Sequence, residues 1–176
     1  MRQAEALAQA LAGARVARVV SSPLLRCRQT AVAVARRAGA SVEIDSRLLE
    51  IAHGTWEGRL REEIEREDAA RMLAWRKAPD SVEFEGGESL AAVDARWREF
   101  AATVDGRDAV VVTHDVVVRL AILSATFRPL ADLWKPRVRN GGYAEFEVSA
   151  GTWHLLQECA DAHLGSDVSE EARQAL

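Results

Sequence analysis

Two short junctions decide the fold: Ser21-Ser22-Pro23-Leu24-Leu25-Arg26 and Thr113-His114-Asp115. The first follows the β-branched run Val16 to Val20, and the second follows Ala109 to Val112. Each opens a stretch that reads as a helix, so the pattern strand, tight turn, helix occurs twice. In parallel α/β sheets the crevice beyond the carboxyl ends of the strands is where ligands bind. A helix N-terminus there presents free N–H groups and partial positive charge to an anion. One junction carries Arg26, whose guanidinium can fork onto a phosphate, and the other carries His114. If the strands are parallel neighbours, both side chains point into one pocket, and that pocket suits a phosphoryl group.

At 176 residues the chain is long enough to bury a full core, and residues 1–160 read as one domain followed by a polar tail over 161–176. A hydrophobic content of 48% and a charged content of 28% are ordinary for a globular protein. The net charge of −4, with a pI near 5.6, speaks against nucleic acid or an anionic membrane as partner. Any anion site must therefore be local. The start, MRQAEALAQALAGA, reads as an amphipathic helix rather than a signal peptide. His114, Asp115 and Arg119 break the apolar run around Val110 to Leu123, so no membrane span and a cytoplasmic location are expected. Cys27 and Cys159 offer neither a disulfide framework nor a metal spacing. Cys27 reads as a small buried hydrophobe, with a reactive thiol beside Arg26 as the alternative.

Helical spacing covers Ala4 to Leu11, then strand Val16 to Val20 leads into a helix with Ser22 as N-cap and Pro23 in its first turn, reaching about Arg37. Ser41 to Ile44 reads as a short strand. Arg59 to Arg76 reads as a charged surface helix with Ile64, Met72, Leu73 and Trp75 on its apolar side. Gly86-Gly87 breaks the chain before an amphipathic helix over Glu88 to Val104. Strand Ala109 to Val112 precedes helix Val116 to Ser124, and Tyr143 to Val148 and Thr152 to Leu156 form a hairpin around Ser149-Ala150-Gly151. The class is α/β, with the hairpin expected on one edge of a mostly parallel sheet.

Glu50 stands among Leu48, Leu49 and Ile51, where burial would raise its pKa toward general-acid use; an exposed loop acid is the alternative. His53 and Trp56 fit a pocket lining or simple loop packing. Taken singly, Arg26 also reads as a solvated surface residue and His114 as a structural histidine. His154 and His163 have no partner at a useful spacing. There is no HExxH, cysteine cluster, Walker loop or GxGxxG, so neither a metal nor a nucleotide cofactor is supported.

Taken together, SSPLLRCRQTA (21–31), LLEIAHGTWEG (48–58), GGES (86–89) and VVVTHD (110–115) resemble the histidine phosphatase superfamily, with its phosphoglycerate mutase-like fold. Their order and spacing are similar to those of its cofactor-independent, broad-specificity phosphatases, over Arg2 to about Leu156. The resemblance implies a three-layer α/β/α sandwich around a mostly parallel sheet and metal-independent hydrolysis of a phosphomonoester. It casts Arg26 as the phosphate-binding arginine, Glu50 as proton donor to the leaving alcohol, and His114 as the second pocket histidine, holding phosphoryl oxygens. Glu88 and Ser89 match a segment near the pocket rim, and Ser22, His53 and Asp115 are further pocket candidates.

Members of that family begin with a strand ending in Arg-His-Gly, whose histidine becomes phosphorylated. This chain starts at Met1-Arg2-Gln3-Ala4, inside what matches the first helix after that motif. The nucleophile, its arginine and a central strand are therefore expected to be missing, and by position only His53 or His114 could stand in. Asp115 occupies a place where the family usually has a small residue. It is expected to cap the Val116 helix and to set negative charge where phosphate should sit.

Three readings stay open: a phosphomonoester hydrolase, or truncated member, acting on a small phosphorylated metabolite; an inactive member that binds a phosphorylated ligand or a partner; and a non-phosphatase enzyme using Glu50 and His114 as acid and base. Specificity is expected in Arg59 to Asp80 and Phe127 to Asn140. The missing strand predicts either that strands 16–20 and 109–112 close on each other or that a second copy bridges them as a homodimer.

Overall fold

The computed structural model describes residues 2–165, and the polar tail expected beyond them lies outside the described residues. Helix α1 (Arg2–Ala10) precedes β1 (Arg18–Ser21), α2 (Leu25–Ala38) and β2 (Val42–Ile44). A pair of short helices, α3 (Arg61–Glu67) and α4 (Ala69–Lys77), leads to α5 (Leu90–Ala101). Strand β3 (Ala109–Val112), α6 (Asp115–Ala125), β4 (Tyr143–Ser149) and β5 (Thr152–Ala160) complete the order.

Strands β2, β1 and β3 lie side by side in that order, all parallel. Side chains alternate across the sheet, as the two-residue period of a strand requires. Val19, Val110 and Val112 face α1 and α2, while Val20 and Val111 face the larger core of α5 and α6. The result is helices on both faces of a parallel sheet. β1 is buried along Val19 to Ser21, whereas β3 stays half-buried throughout. The reason is that β1 is flanked on both sides, while among the described residues β3 pairs only with β1.

The strands expected at 16–20 and 109–112 do close on each other, in register from Arg18↔Ala109 to Ser21↔Val112. The hairpin departs from expectation. Among the described residues it forms its own antiparallel two-stranded sheet and does not hydrogen-bond along the parallel one. It is held by packing instead: Phe146 and Trp153 lie on the larger core, and Trp153 meets Trp97 of α5 edge-on at 5.3 Å. Its turn is Ala150-Gly151, both at positive φ, the twist a two-residue hairpin needs.

Two other expectations are corrected. The helix predicted over Arg59 to Arg76 breaks at Asp68 (φ −135°, ψ 46°), giving α3 and α4. Nor is it only a surface element: Ile64, Met72 and Trp75 are buried, and Leu73 alone of its apolar set is exposed. Residues 161–164 pack on the rest of the chain: Asp161 pairs with Arg137 and Arg139, and Leu164 is buried.

Two glycines bring the loop after Glu50 against the Gly86-Gly87 turn. Thr55 N–H donates to Glu85 O at 3.1 Å, and Glu88 N–H to Ala52 O at 2.9 Å. A Cβ on Gly54 would stand 2.0 Å from Glu85 O, and one on Gly87 would stand 2.2 Å from Ala52 O. Both contacts are with backbone, which cannot swing away. Gly87→Ala is therefore expected to cost about 3 kcal/mol in urea unfolding, while Gly13→Ala, facing open space, stays within about 0.5 kcal/mol.

Candidate active site

The in-register pairing of β1 and β3 sets their carboxyl ends side by side, and Ser22 N–H extends the ladder to Val112 O at 2.9 Å. Arg26, in the first turn of α2, reaches across to His114, which precedes α6. Its Nη2 donates to His114 Nδ1 at 2.9 Å. A guanidinium can only donate, so Nδ1 is the bare nitrogen and Nε2 carries the proton. That N–H donates to Ser22 Oγ at 2.8 Å. Cys27 lies beneath them, with Sγ 3.4 Å from His114 Nε2 and 3.3 Å from Thr113 O. Burial pushes its thiol up to about 11, which leaves it inert.

Ser22 does not cap α2, as the sequence suggested. The N-cap is Leu24 in extended geometry, and the Ser22 hydroxyl, fully buried, is committed to His114, with Leu24 N–H a long 3.4 Å away. Asp115 likewise does not cap its helix. His114 takes the cap position, and the Asp115 carboxylate turns to Arg119, accepting from Nε at 2.8 Å.

Glu50 arrives from the loop after β2. The loop is drawn in by Thr113 Oγ1, which donates to Leu48 O at 2.8 Å. Its carboxylate accepts from Ile51 N–H at 3.0 Å and meets Val116 N–H at the start of α6. Burial raises its pKa to about 7; the Asp115 charge adds to this, and the backbone N–H bonds and Arg26 oppose it. Burial acts oppositely on His114, pulling it down to about 4 with help from Arg26 and Arg96. At neutral pH the site therefore holds a fixed cation, a neutral imidazole and a carboxyl near its midpoint.

Arg26, His114, Glu50, Ser22 and Asp115 are thus brought together. His53 is set against Trp75 and Phe84, its ring 4.8 Å from that of Phe84, and burial lowers its pKa. Ser89 caps α5, accepting from Ala92 N–H at 3.2 Å. Glu88 grips Arg96 and Ala52 N–H. Arg96 was not foreseen: three of its five hydrogen bonds go to backbone carbonyls 46 to 49 positions distant, which leave no mark in a motif. Among the described residues no group of His, Cys, Asp and Glu could hold a metal, and no helix is long and apolar enough to cross a membrane.

Residues 1–160 match the histidine phosphatase superfamily (branch 1). Phosphoserine phosphatase 1 of Hydrogenobacter thermophilus is 32% identical over 179 residues, covering 99% of this chain and 84% of that protein. Glucosyl-3-phosphoglycerate phosphatase of Mycobacterium tuberculosis is 31% identical, covering 86% of this chain and 72% of that protein. Among solved structures, Bacillus stearothermophilus YhfR superposes with a TM-score of 0.84 at 28% identity, over 89% of this chain and 80% of that one.

The depressed His114 pKa has a consequence for stability. An unfolded histidine charges near pH 6.5, whereas the folded one resists protonation down to about 4. Between those values the native state binds fewer protons, so its stability is full above pH 6.5 and falls as pH drops toward 4, by about 3 kcal/mol. Glu50, raised to about 7, contributes the opposite slope over much the same range. The His114 share should therefore appear as the difference in urea stability between the unaltered chain and His114→Gln, growing as pH rises from 4 to 6.5. NMR titration of Arg26→Ala should find the His114 midpoint raised.

Proposed function

The chain belongs to the histidine phosphatase superfamily, and from that premise we propose that it binds a small phosphorylated metabolite at Arg26 and His114 and serves phosphomonoester hydrolysis. The observation that carries this reading is the 2.9 Å contact between Arg26 and His114 at the carboxyl ends of two paired parallel strands. A phosphoryl group entering there takes the guanidinium donor that now faces His114 Nδ1. The guanidinium turns from Nδ1 to the anion beside the N-terminus of α6, and the freed Nδ1 can take a proton and donate to it while Nε2–H stays with Ser22. Glu50, with a pKa of about 7, is near its midpoint at neutral pH, and its protonated form can hand its proton to the departing alkoxide. The phosphoserine and glucosyl-3-phosphoglycerate phosphatases among its relatives support a metabolite as substrate. The net charge of −4 supports it over nucleic acid or an anionic membrane surface, and a cytoplasmic location fits the same reading.

Among the described residues no second histidine is hydrogen-bonded to the Arg26–His114 pair. His114 is engaged with Arg26 and Ser22, and His163 donates to Gly141 O at 2.8 Å. His154 lies on β5 opposite Glu147. On this reading the described residues serve phosphate recognition through Arg26 and His114 and leaving-group protonation through Glu50. The half-exposed edge of β3 supports self-association as well, which sedimentation tests.

Calorimetry with inorganic phosphate should detect binding that Arg26→Ala abolishes. Asp115→Gly should tighten it modestly, because the Asp115 charge, though paired with Arg119, still reaches Glu50. The chain alone should hydrolyse p-nitrophenyl phosphate several orders of magnitude more slowly than a phosphatase with a complete set of groups, since members of a concerted set do not act singly. Full turnover that His114→Ala or His53→Ala stops would show a relocated nucleophile instead.

A further inference from the structure

Arg96 lies on α5, its side chain 17% exposed, and every N–H of its guanidinium has a partner. Nε donates to Glu88 Oε1 at 2.9 Å. Nη1 donates to Arg47 O and Leu49 O, each at 2.7 Å. Nη2 donates to Glu50 O at 3.2 Å and to Glu88 Oε2 at 3.0 Å. Glu88 Oε2 also accepts from Ala52 N–H at 3.0 Å. The loop from residue 47 to residue 52 is therefore gripped at three carbonyls by the arginine and at one N–H by the arginine's own counter-ion.

We infer that Arg96, held by Glu88, is a positioning residue that fixes the Glu50 carboxyl in its buried place against the start of α6. This rests on the reading of Glu50 as the proton donor. The grip acts on the backbone of Glu50 itself and of its neighbours on both sides. A loop of this kind, which has no ladder of its own, would otherwise swing its carboxylate out to water, where an acid ionises at its ordinary value. Only a planar fork with five donors serves three carbonyls and a carboxylate at once; the three donors of a lysine, on a flexible stem, do not. Burial pushes the Glu88 carboxyl up, but hydrogen bonds from Arg96 and from Ala52 N–H hold it below the ordinary value, so the pair stays ionised. The remainder of the loop is held from elsewhere, by Gly87 against Ala52 O and by Thr113 Oγ1 on Leu48 O. Arg96 is thus the attachment that bears on Glu50 directly.

The test is a titration of the Glu50 carboxyl carbon by NMR in protein labelled at glutamate, with Glu50→Gln to assign the signal. In the unaltered chain its midpoint should lie near 7. Arg96→Met should shift it down by at least about one pH unit, a tenfold loss of proton affinity. Arg96→Lys, which keeps the charge and loses the fork, should shift it the same way, which separates geometry from charge. Inorganic phosphate affinity, set by Arg26 and His114, should stay within twofold in both variants. If Arg96→Met does not fold, Glu88→Gln is titrated instead and the same direction is expected. A folded Arg96 variant, or Glu88→Gln, that melts lower but leaves the Glu50 midpoint near 7 overturns the inference while leaving the functional reading intact. An ordinary carboxylate midpoint in the unaltered chain overturns the proton-donor reading and the inference with it.

Discussion

The parallel pairing of β1 with β3 is the constraint on which the rest of the molecule depends. Its register sets Ser21 opposite Val112, so the two βα junctions leave the sheet at the same level and Arg26 meets His114. A slip of one residue would turn Val19 and Val20 to the wrong faces, exchanging the small core under α1 and α2 with the large one under α5 and α6. Register is therefore enforced by both cores at once. The site inherits its precision from hydrophobic burial that lies well below it.

Burial also does the electrostatic work, and it does it in two directions. Removing water penalises whichever form is charged, so one environment raises Glu50 to about 7 and lowers His114 to about 4. Two groups that would both be charged near pH 5.5 in water instead approach neutrality together. The one charge that cannot be relinquished is that of Arg26. On the proposed reading, a pocket with the fixed cation of Arg26 and an acid that keeps part of its proton suits a phosphate dianion better than a cationic guest. Here too the balance is set by how little water reaches the groups, since nearby charges enter both shifts after burial.

Much of this was legible in the sequence because the rules that place ligands at strand ends act on local patterns. Ala109 to Val112 reads as a strand from its four apolar residues, and Arg26 and His114 stand just beyond two such runs. Glu50 was legible from its apolar neighbours. Hidden features share one property: their partners are remote. Ser22 looks like a helix cap because Pro23 follows, yet its hydroxyl is claimed by a histidine 92 residues away. Asp68 carries no glycine or proline to announce that it ends α3; the backbone turns there so that Ile64 and Trp75 can both reach the core, and its carboxylate then accepts from Trp56 Nε1 at 3.2 Å. Arg96 looks like any charged residue on an amphipathic helix. The separation of the hairpin from the parallel sheet was likewise unreadable, because alternation marks a strand without naming its neighbour.

Asp115 shows how such remote ties settle what a motif leaves open. A carboxylate beside a phosphate ligand should repel phosphate, and its own helix start would hold it there as a cap. Instead Arg119, one turn on, takes the carboxylate at 2.8 Å and is itself 12% exposed. That arginine is anchored in turn: Nη1 donates to Pro136 O at 2.6 Å, and the guanidinium lies 5.1 Å from the centre of the Trp134 ring. Trp134 donates from Nε1 to Trp75 O at 2.7 Å, and the two rings pack edge to face at 5.2 Å. Trp75 belongs to α4 and also meets Phe84 and His53. The segment 127–140 and the helical insert, both outside the sheet, are therefore fastened to the floor of the site through one guanidinium. Asp115 is tolerated because that anchorage draws its charge aside. What remains of its field falls on Glu50, where it raises proton affinity, so the acid that seems misplaced for binding an anion favours the protonated state that the proposed proton donor requires.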